Sequence, residues 1–560
     1  MKKACIIVLA LLLTPFIVFG GGGRQAASSE KAPASFLTPP GQLPLVTQPA
    51  TITLGLHNQP PVSDWYNNFF TKYVQNKTGL TLKFENFPFV ESDAVTQFEL
   101  MVASGQKLPD ILAINIPNWR DHGENGVFVD LNPYFEKYAY FYNKAMDILK
   151  AKYGDDREER RIKIKTSSFS GKRFAYPAYN DHQSDLQMHT TMINKVWLDN
   201  LGLKIPATTQ ELKDVLIAFR DRDPNGNGRR DEIPMLGHSN TWHGDIINWL
   251  VNAFVYWHPD GTNAGVINVT NGKIWVPYAT DEYRDALRYI RGLVSDRLLS
   301  DMSFSTTDDD ITSLLNPGDN VFTVGISSGH PVIYWRTGSS AVDYYVCQPS
   351  VTGPGGVNYA PVDFPILQGG PYAFITKDAQ YPDVAFRLLD FFSDEYTGML
   401  MRYGEEGVDW ERVDPSKNMA IEGFPARFST PNLLWGATSQ NQNWRQCLGY
   451  FQIDPYSAFF DDGSWEMKRE KIFHDYISMN AGKQPKELVD EVIFTTAEAD
   501  SIREIQSTLW TYVKEQQALF CTGQRDVERD WNAYLSELDR IGLKRYLEVV
   551  QKAYTRTISN

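Results

Sequence analysis

Five side chains bearing oxygen lie between positions 223 and 232: Asp223, Asn225, Asn227, Asp231 and Glu232. The first three alternate along the chain, Gly228 follows them, and the main-chain carbonyl of Arg229 comes next. Ca²⁺ takes about six to eight oxygen ligands from a loop flexible enough to wrap it. Gly228 stands sixth from Asp223, where such a loop turns sharply and glycine does so without strain. The match to an EF-hand loop ends there, because the twelfth place is Pro234 where that loop has glutamate. Asp231 and Glu232 then close a shortened site. The plainer alternative is a solvated Asn/Gly turn. Three carboxylates on one short loop repel each other, which favours a cation, and a site of this kind steadies a turn rather than carrying out a reaction.

Other chemistry is thinly represented. The chain has no H-E-x-x-H, no P-loop and no C-x-x-C. Carboxylate runs such as Glu405-Glu406 and Asp308-Asp309-Asp310 read as solvated turns, since adjacent acids point apart. Glycoside hydrolysis needs two carboxylates about 5–9.5 Å apart across a substrate, and sequence alone shows no such pair. Aromatic residues make up 13% of the chain, enough to stack rings on a ligand. Net charge is −14 with the two signs interspersed, which disfavours nucleic acid and anionic membrane as partners.

These residues need elements to hold them. Residues 1–20 read as a secretory signal peptide, with Lys2 and Lys3 before an apolar core too short for a membrane span. Residues 21–50, rich in Gly, Ala, Ser and Pro, read as a disordered tether. No cysteine follows the apolar core, so the expected product is exported, periplasmic or at the extracellular face, and not lipid-anchored. The next ~510 residues exceed one core, so at least two lobes are expected. Strand 51–56, helix 63–77, strand 80–87, helix 93–104 and strand 108–115 form a parallel α/β opening. Thr208 and Glu211 make a capping box for the helix that runs into the 223–232 loop. Strands are expected at 321–327 and 371–376, and a helix at 382–394. The tail, 495–558, is helical, capped by Thr495 and Glu498 and punctuated by Gly542. Cys347, Cys447 and Cys521 are too few and too far apart for a disulfide framework.

Several segments together resemble one family. ASGQKLPDIL (103–112), GKRFAYPAY (171–179), MINKVWLDNLGLKIPATTQELKDVLIAFRDRDPNGNGRRDEIP (192–234), RYGEEGVDW (402–410) and TGQRDVERDWNAYLSELDRIGLKRYLEVVQKAY (522–554) are similar to extracellular solute-binding proteins of carbohydrate ABC importers. The nearest branch is the large, calcium-containing one that includes alginate-binding proteins and LipO-type lipoproteins. The resemblance implies an α/β, two-lobe periplasmic-binding-protein fold of type II, with a hinge and a helical C-terminal segment. It implies a monomeric non-enzyme that closes on an oligosaccharide and delivers it to membrane permease subunits. It implies structural Ca²⁺ on Asp223, Asn225, Asn227, Arg229, Asp231 and Glu232.

In that frame the first lobe takes 51–130 plus parts of 321–400. The second takes 131–320 plus parts of 400–490, and the tail packs across both. Candidate sugar contacts are Trp410 and Glu406 in the GEEGVDW segment, Trp242 before a helix, Tyr176 and Tyr179 at the lobe junction, and Trp65 and Trp119 after strand ends. Each of the aromatic residues has a packing alternative. Arg120, Arg173 and Arg336 would suit an acidic sugar if they were not paired within the protein. A secreted glycoside hydrolase and a calcium-dependent polysaccharide-binding surface protein are the alternatives in function.

Overall fold

The computed structural model describes residues 33–180, 189–239, 241, 243–258, 266–360, 373–429, 439–445, 447–448, 451–453 and 459–559. The signal segment 1–20 lies outside the described residues. Residues 33–560 carry two separate main sheets, each with its own hydrophobic core.

The first sheet begins as expected. Strand β1 (Ala50–His57) alternates buried and exposed residues until its buried end and pairs in parallel with β2 (Leu80–Phe87) and β3 (Ile111–Ala113). The helix between β1 and β2 is shorter than the sequence pattern implies. It starts at Phe69, where the Asn68 side chain accepts the N–H of Phe70, and ends at Gly79 with φ +75°. Asp110, beside β3, is buried and accepts the N–H groups of Thr53 and Gln380, tying β3 to β1 and to the segment before helix Pro382–Phe392. Two later strands complete this sheet. They are β4 (Ala175–Tyr176) and β12 (Ala373–Ile375), in the order β2-β1-β3-β12-β4, with β12 antiparallel to both its neighbours.

The chain passes to the second sheet after β5 (Tyr179–Asn180), which pairs with β15 (Phe451–Gln452). The second sheet contains β6 (Thr191–Asn194), β7 (Ile233–Gly237), β10 (Val324–Ser328) and β11 (Tyr345–Cys347), ordered β11-β6-β10-β7. Strands β7 and β10 are parallel; β6 and β11 run antiparallel to their partners.

Three boundaries need correction. Residues 33–49 are not a free tether. Leu45 and Val46 are buried, Leu37 bridges to Val46, and the buried guanidinium of Arg387 donates to the carbonyls of Thr38 and Pro39. Residues 131–176 and the described residues of 400–453 belong to the first lobe. Leu131, Tyr142, Met146, Leu149, Met401, Trp444 and Phe451 all enter its core, and Asp390 accepts three N–H groups at the start of helix Phe141–Tyr153. Burial pushes the Asp390 carboxyl up to about 6 against those three bonds. Of the 321–400 stretch, β10 and β11 lie in the second sheet and β12 in the first.

The tail helices Thr496–Thr522, Val527–Ile541 and Leu543–Ser559 pack on the second core rather than evenly across both lobes. The links to the first lobe are Thr496, at the head of the first tail helix, which donates to Asp121 at 2.6 Å, and the segment just before it. Val489, Val492 and Phe494 lean on the second core. Between them, Asp490 accepts two bonds from Arg161 (2.6 and 2.9 Å) and pairs with Lys165 at 3.3 Å, and Glu491 pairs with Arg120 at 3.0 Å. Burial works against the charge of Asp490, yet Arg161 and Lys165 outweigh it and hold the carboxyl down at about 2. A carboxyl lowered in the folded state stabilises fully above its unfolded value near 3.8, and that contribution is lost as pH falls toward 2. With 38% of the side chain exposed, solvent screening leaves on the order of 1 kcal/mol. Asp490→Asn should therefore lower stability by that amount at pH 7 and show a shallower loss between pH 4 and pH 2 than the natural chain. Denaturant melts across that range measure both. All three described cysteines are free and buried.

Candidate functional site

Helix Thr209–Asp221 delivers the acidic loop. The capping box of Thr208 and Glu211 is formed, and Leu212, Val215, Leu216 and Phe219 bury one face. Beyond it the chain turns through left-handed conformations at Asp223 (φ +45°), Gly226 (+69°) and Gly228 (+72°). Asp223 accepts the N–H groups of Asn227 (3.2 Å) and Gly228 (3.0 Å). Asn225 Oδ1 accepts the N–H of Asn227 at 3.0 Å, and Asn227 Oδ1 that of Arg229 at 2.7 Å. The amide nitrogens of Asn225 and Asn227 donate to Asp231. Asn200 holds the loop from outside by donating to the Pro224 carbonyl. Asp223, Asn225, Asn227 and Asp231 thus meet within one hydrogen-bonded loop.

The residues present fit a hard cation. Glu232 Oε1 is buried without a hydrogen-bond partner. Burial raises the Glu232 carboxyl above its ordinary range, and the charges of Asp231 and Asp223 add to the rise. A divalent cation would relieve both the orphaned oxygen and the mutual repulsion. Among the described residues no trio of His, Cys, Asp or Glu is gathered tightly enough to hold a metal by itself, so any site here depends on the amide and carbonyl oxygens of Asn225, Asn227 and Arg229.

The aromatic candidates are placed differently from the expectation. Trp410 is 1% exposed; its indole N–H donates to the Gly404 carbonyl at 2.9 Å, and Phe428 meets it edge-on at 5.3 Å. Trp65 is buried between Phe84 and Trp444. The Tyr176 hydroxyl shares a hydrogen bond with Ser393 at 2.7 Å, and Tyr179 stacks on Phe451. Trp119 is buried against Phe374, with the Arg120 guanidinium 4.4 Å over its ring. None of these five offers an open ring face in this conformation. Glu406 remains partly exposed and pairs with Arg412 at 2.8 Å. Trp242 lies outside the described residues. The physical reason is shared: Trp410, Trp65, Tyr176 and Tyr179 fill the first core and Trp119 a smaller cluster, where rings pack against one another.

Two further features stand at the end of the second sheet. Against the expectation that no G-x-S-x-G is present, the chain spells that pattern over Gly325–Gly329. A nucleophile elbow needs an exposed serine on a sharp strand-to-helix turn. Ser327 is instead buried within β10, and its hydroxyl has no hydrogen-bond partner. Beside it, His238, His243, Asp308 and Tyr334 gather into one polar cluster. The run 308–310 does not behave as three equal solvated acids. Asp310 completes a capping box with Thr307, while Asp308 turns to the histidines. The capping signal was readable; the histidine partners, 65 residues away or more, were not.

No family model matches the chain. The fructooligosaccharide ABC transporter substrate-binding protein FusA of Streptococcus pneumoniae is 24% identical over 504 residues, 87% of this chain and 86% of FusA. Its structure as an EF-hand mutant in complex with fructo-nystose superposes with a TM-score of 0.67 at 21% identity, covering 91% of this chain and all of that one. An extracellular solute-binding protein from Bifidobacterium longum subsp. infantis gives a TM-score of 0.71 at 19% identity, covering 91% and 98%. The fold is thus the two-lobe α/β architecture of extracellular solute-binding proteins, with the helical C-terminal segment in place. The resemblance read from the sequence holds: the chain's relatives are substrate-binding proteins of carbohydrate ABC importers.

Proposed function

We propose that this chain is an exported solute-binding protein that takes up an oligosaccharide between its two lobes and presents it to the membrane subunits of an ABC importer. The observation that carries the reading is the similarity to FusA, which covers 87% of this chain and 86% of FusA. The architecture supports it. The carboxyl ends of β1, β3, β7 and β10 are the edges where open α/β sheets bind ligands. The chain crosses between the lobes after Asn180, after Cys347 and again after Phe460, so a few backbone segments can absorb lobe rotation. Ca²⁺ belongs to the 223–232 loop, remote from chemistry, where Asp223, Asn225, Asn227, the Arg229 carbonyl, Asp231 and Glu232 would hold it and neutralise the cluster. Export follows from the 1–20 segment. Among the described residues no helix is long and apolar enough to cross a membrane. The test is uptake of an oligosaccharide at one per chain, with the sugar recovered unchanged.

A further inference from the structure

We infer that Asp308 is a ligand contact of the second lobe, held to accept sugar hydroxyls, and that it restricts this binding protein to neutral oligosaccharides. The inference rests on the oligosaccharide reading above and narrows it. Parallel strands β7 and β10 end side by side at Gly237 and Ser328. His238 and His243 follow the first strand, and Tyr334 follows the second. All three aim at one carboxylate. His243 Nε2 lies 3.1 Å from Asp308 Oδ2, the Tyr334 hydroxyl donates to Oδ1 at 3.2 Å, and His238 Nε2 stands 3.6 Å from Oδ1.

The support is buried and the carboxylate is not. The side chain of His243 is 2% exposed and packs edge-on against the Tyr334 ring at 5.4 Å, whereas that of Asp308 is 47% exposed. The backbone beneath is pressed too tightly for side chains. A Cβ on Gly329 would fall 1.8 Å from the Tyr334 ring, and one on Gly244 would fall 2.5 Å from Gly329 Cα. Burial keeps the His243 imidazole biased toward its neutral form, a donor to Asp308 rather than a fixed countercharge. A carboxylate has about four lone-pair sites. His243 and Tyr334 occupy two and fix its orientation, leaving the others toward the ligand edge for hydroxyl donors. The Ser328 hydroxyl, buried and without a hydrogen-bond partner at the same strand end, adds another polar group there.

Two of the three arginines that would welcome an acidic sugar are occupied within the first lobe. Arg120 donates to the carbonyls of Ser167 and Lys165 and to Glu491. Arg173 is buried, donates to Thr166 and Tyr142, and lies 3.6 Å over the Phe135 ring. Arg336 is exposed. A uronate approaching Asp308 meets like charge, while paired hydroxyls meet an oriented acceptor.

Calorimetry at pH 7 with kestose, maltotriose and xylotriose against trigalacturonate and trimannuronate tests this, with a thermal melt of each protein beside it. The natural chain should bind at least one neutral trisaccharide and neither acidic one. Asp308→Asn, which keeps shape and loses charge, should weaken that binding about tenfold or more with the melt unchanged. His238→Gln, at a support whose side chain is 20% exposed, should weaken it about threefold, and it serves as the second variant if Asp308→Asn fails to fold. Binding of an acidic trisaccharide by the natural chain, or neutral affinity unchanged in the variants, overturns the inference while leaving the oligosaccharide reading intact. Failure of every sugar to bind contradicts that reading, and the inference falls with it.

Discussion

Trp410→Ala should lower folding stability by about 3–5 kcal/mol, the usual cost of emptying a buried tryptophan site, and leave the sugar affinity of the folded fraction within about threefold. The expectation follows from its 1% exposure, its bond to the Gly404 carbonyl, and its edge contacts with Phe428 and Tyr396. Removing the ring opens a void between helix Glu395–Tyr403 and the segment carrying Phe428, and it leaves the Gly404 carbonyl unpaired. A melt and a titration of the same variant separate this from a stacking role. Intact stability with affinity reduced about thirtyfold would show that the ring reaches the ligand in a conformation other than the one described.

Removing Ca²⁺ should cost about 2.7 kcal/mol when the free ion stands at 100 times its dissociation constant. The fold should survive, because the loop closes one edge of a large core: Asn200 and the pairing of β7 with β10 hold its ends regardless. Asp223→Ala should lower the melting temperature as chelator does, and chelator should then have no further effect on that variant. Sugar affinity should change less than tenfold in either case. An unchanged melt in excess chelator, with no metal found by elemental analysis, would mean that the orphaned Glu232 oxygen is satisfied in some other way.

What could be read in advance was what local pattern encodes. The alternation of β1 and β2, the capping box at Thr208, the loop that follows it and the stripe of Ile502, Ile505, Leu509 and Tyr512 each depend on residues close in sequence. The return of 400–453 to the first core could not be read, because Met401, Trp444 and Phe451 meet residues such as Phe70 and Tyr142 hundreds of positions away. Composition misled at 33–49, where Arg387 supplies the donors that order a Pro-rich segment. It misled again over aromatic residues, since a tryptophan gains similar burial against Phe428 as against a sugar face. The ligand-facing charge escaped for a related reason. Asp308 acquires its meaning from His243 and Tyr334, which only the pairing of β7 with β10 brings to it.

Central to this account is capture of an intact oligosaccharide by closure of two lobes. The direct measurement is a calorimetric titration of the mature chain with neutral oligosaccharides, with chromatography of the recovered sugar and small-angle scattering of the saturated sample. The account predicts one sugar per chain, no cleavage products and a smaller radius of gyration on saturation. Cleavage products, or saturation with an unchanged radius of gyration, would contradict it.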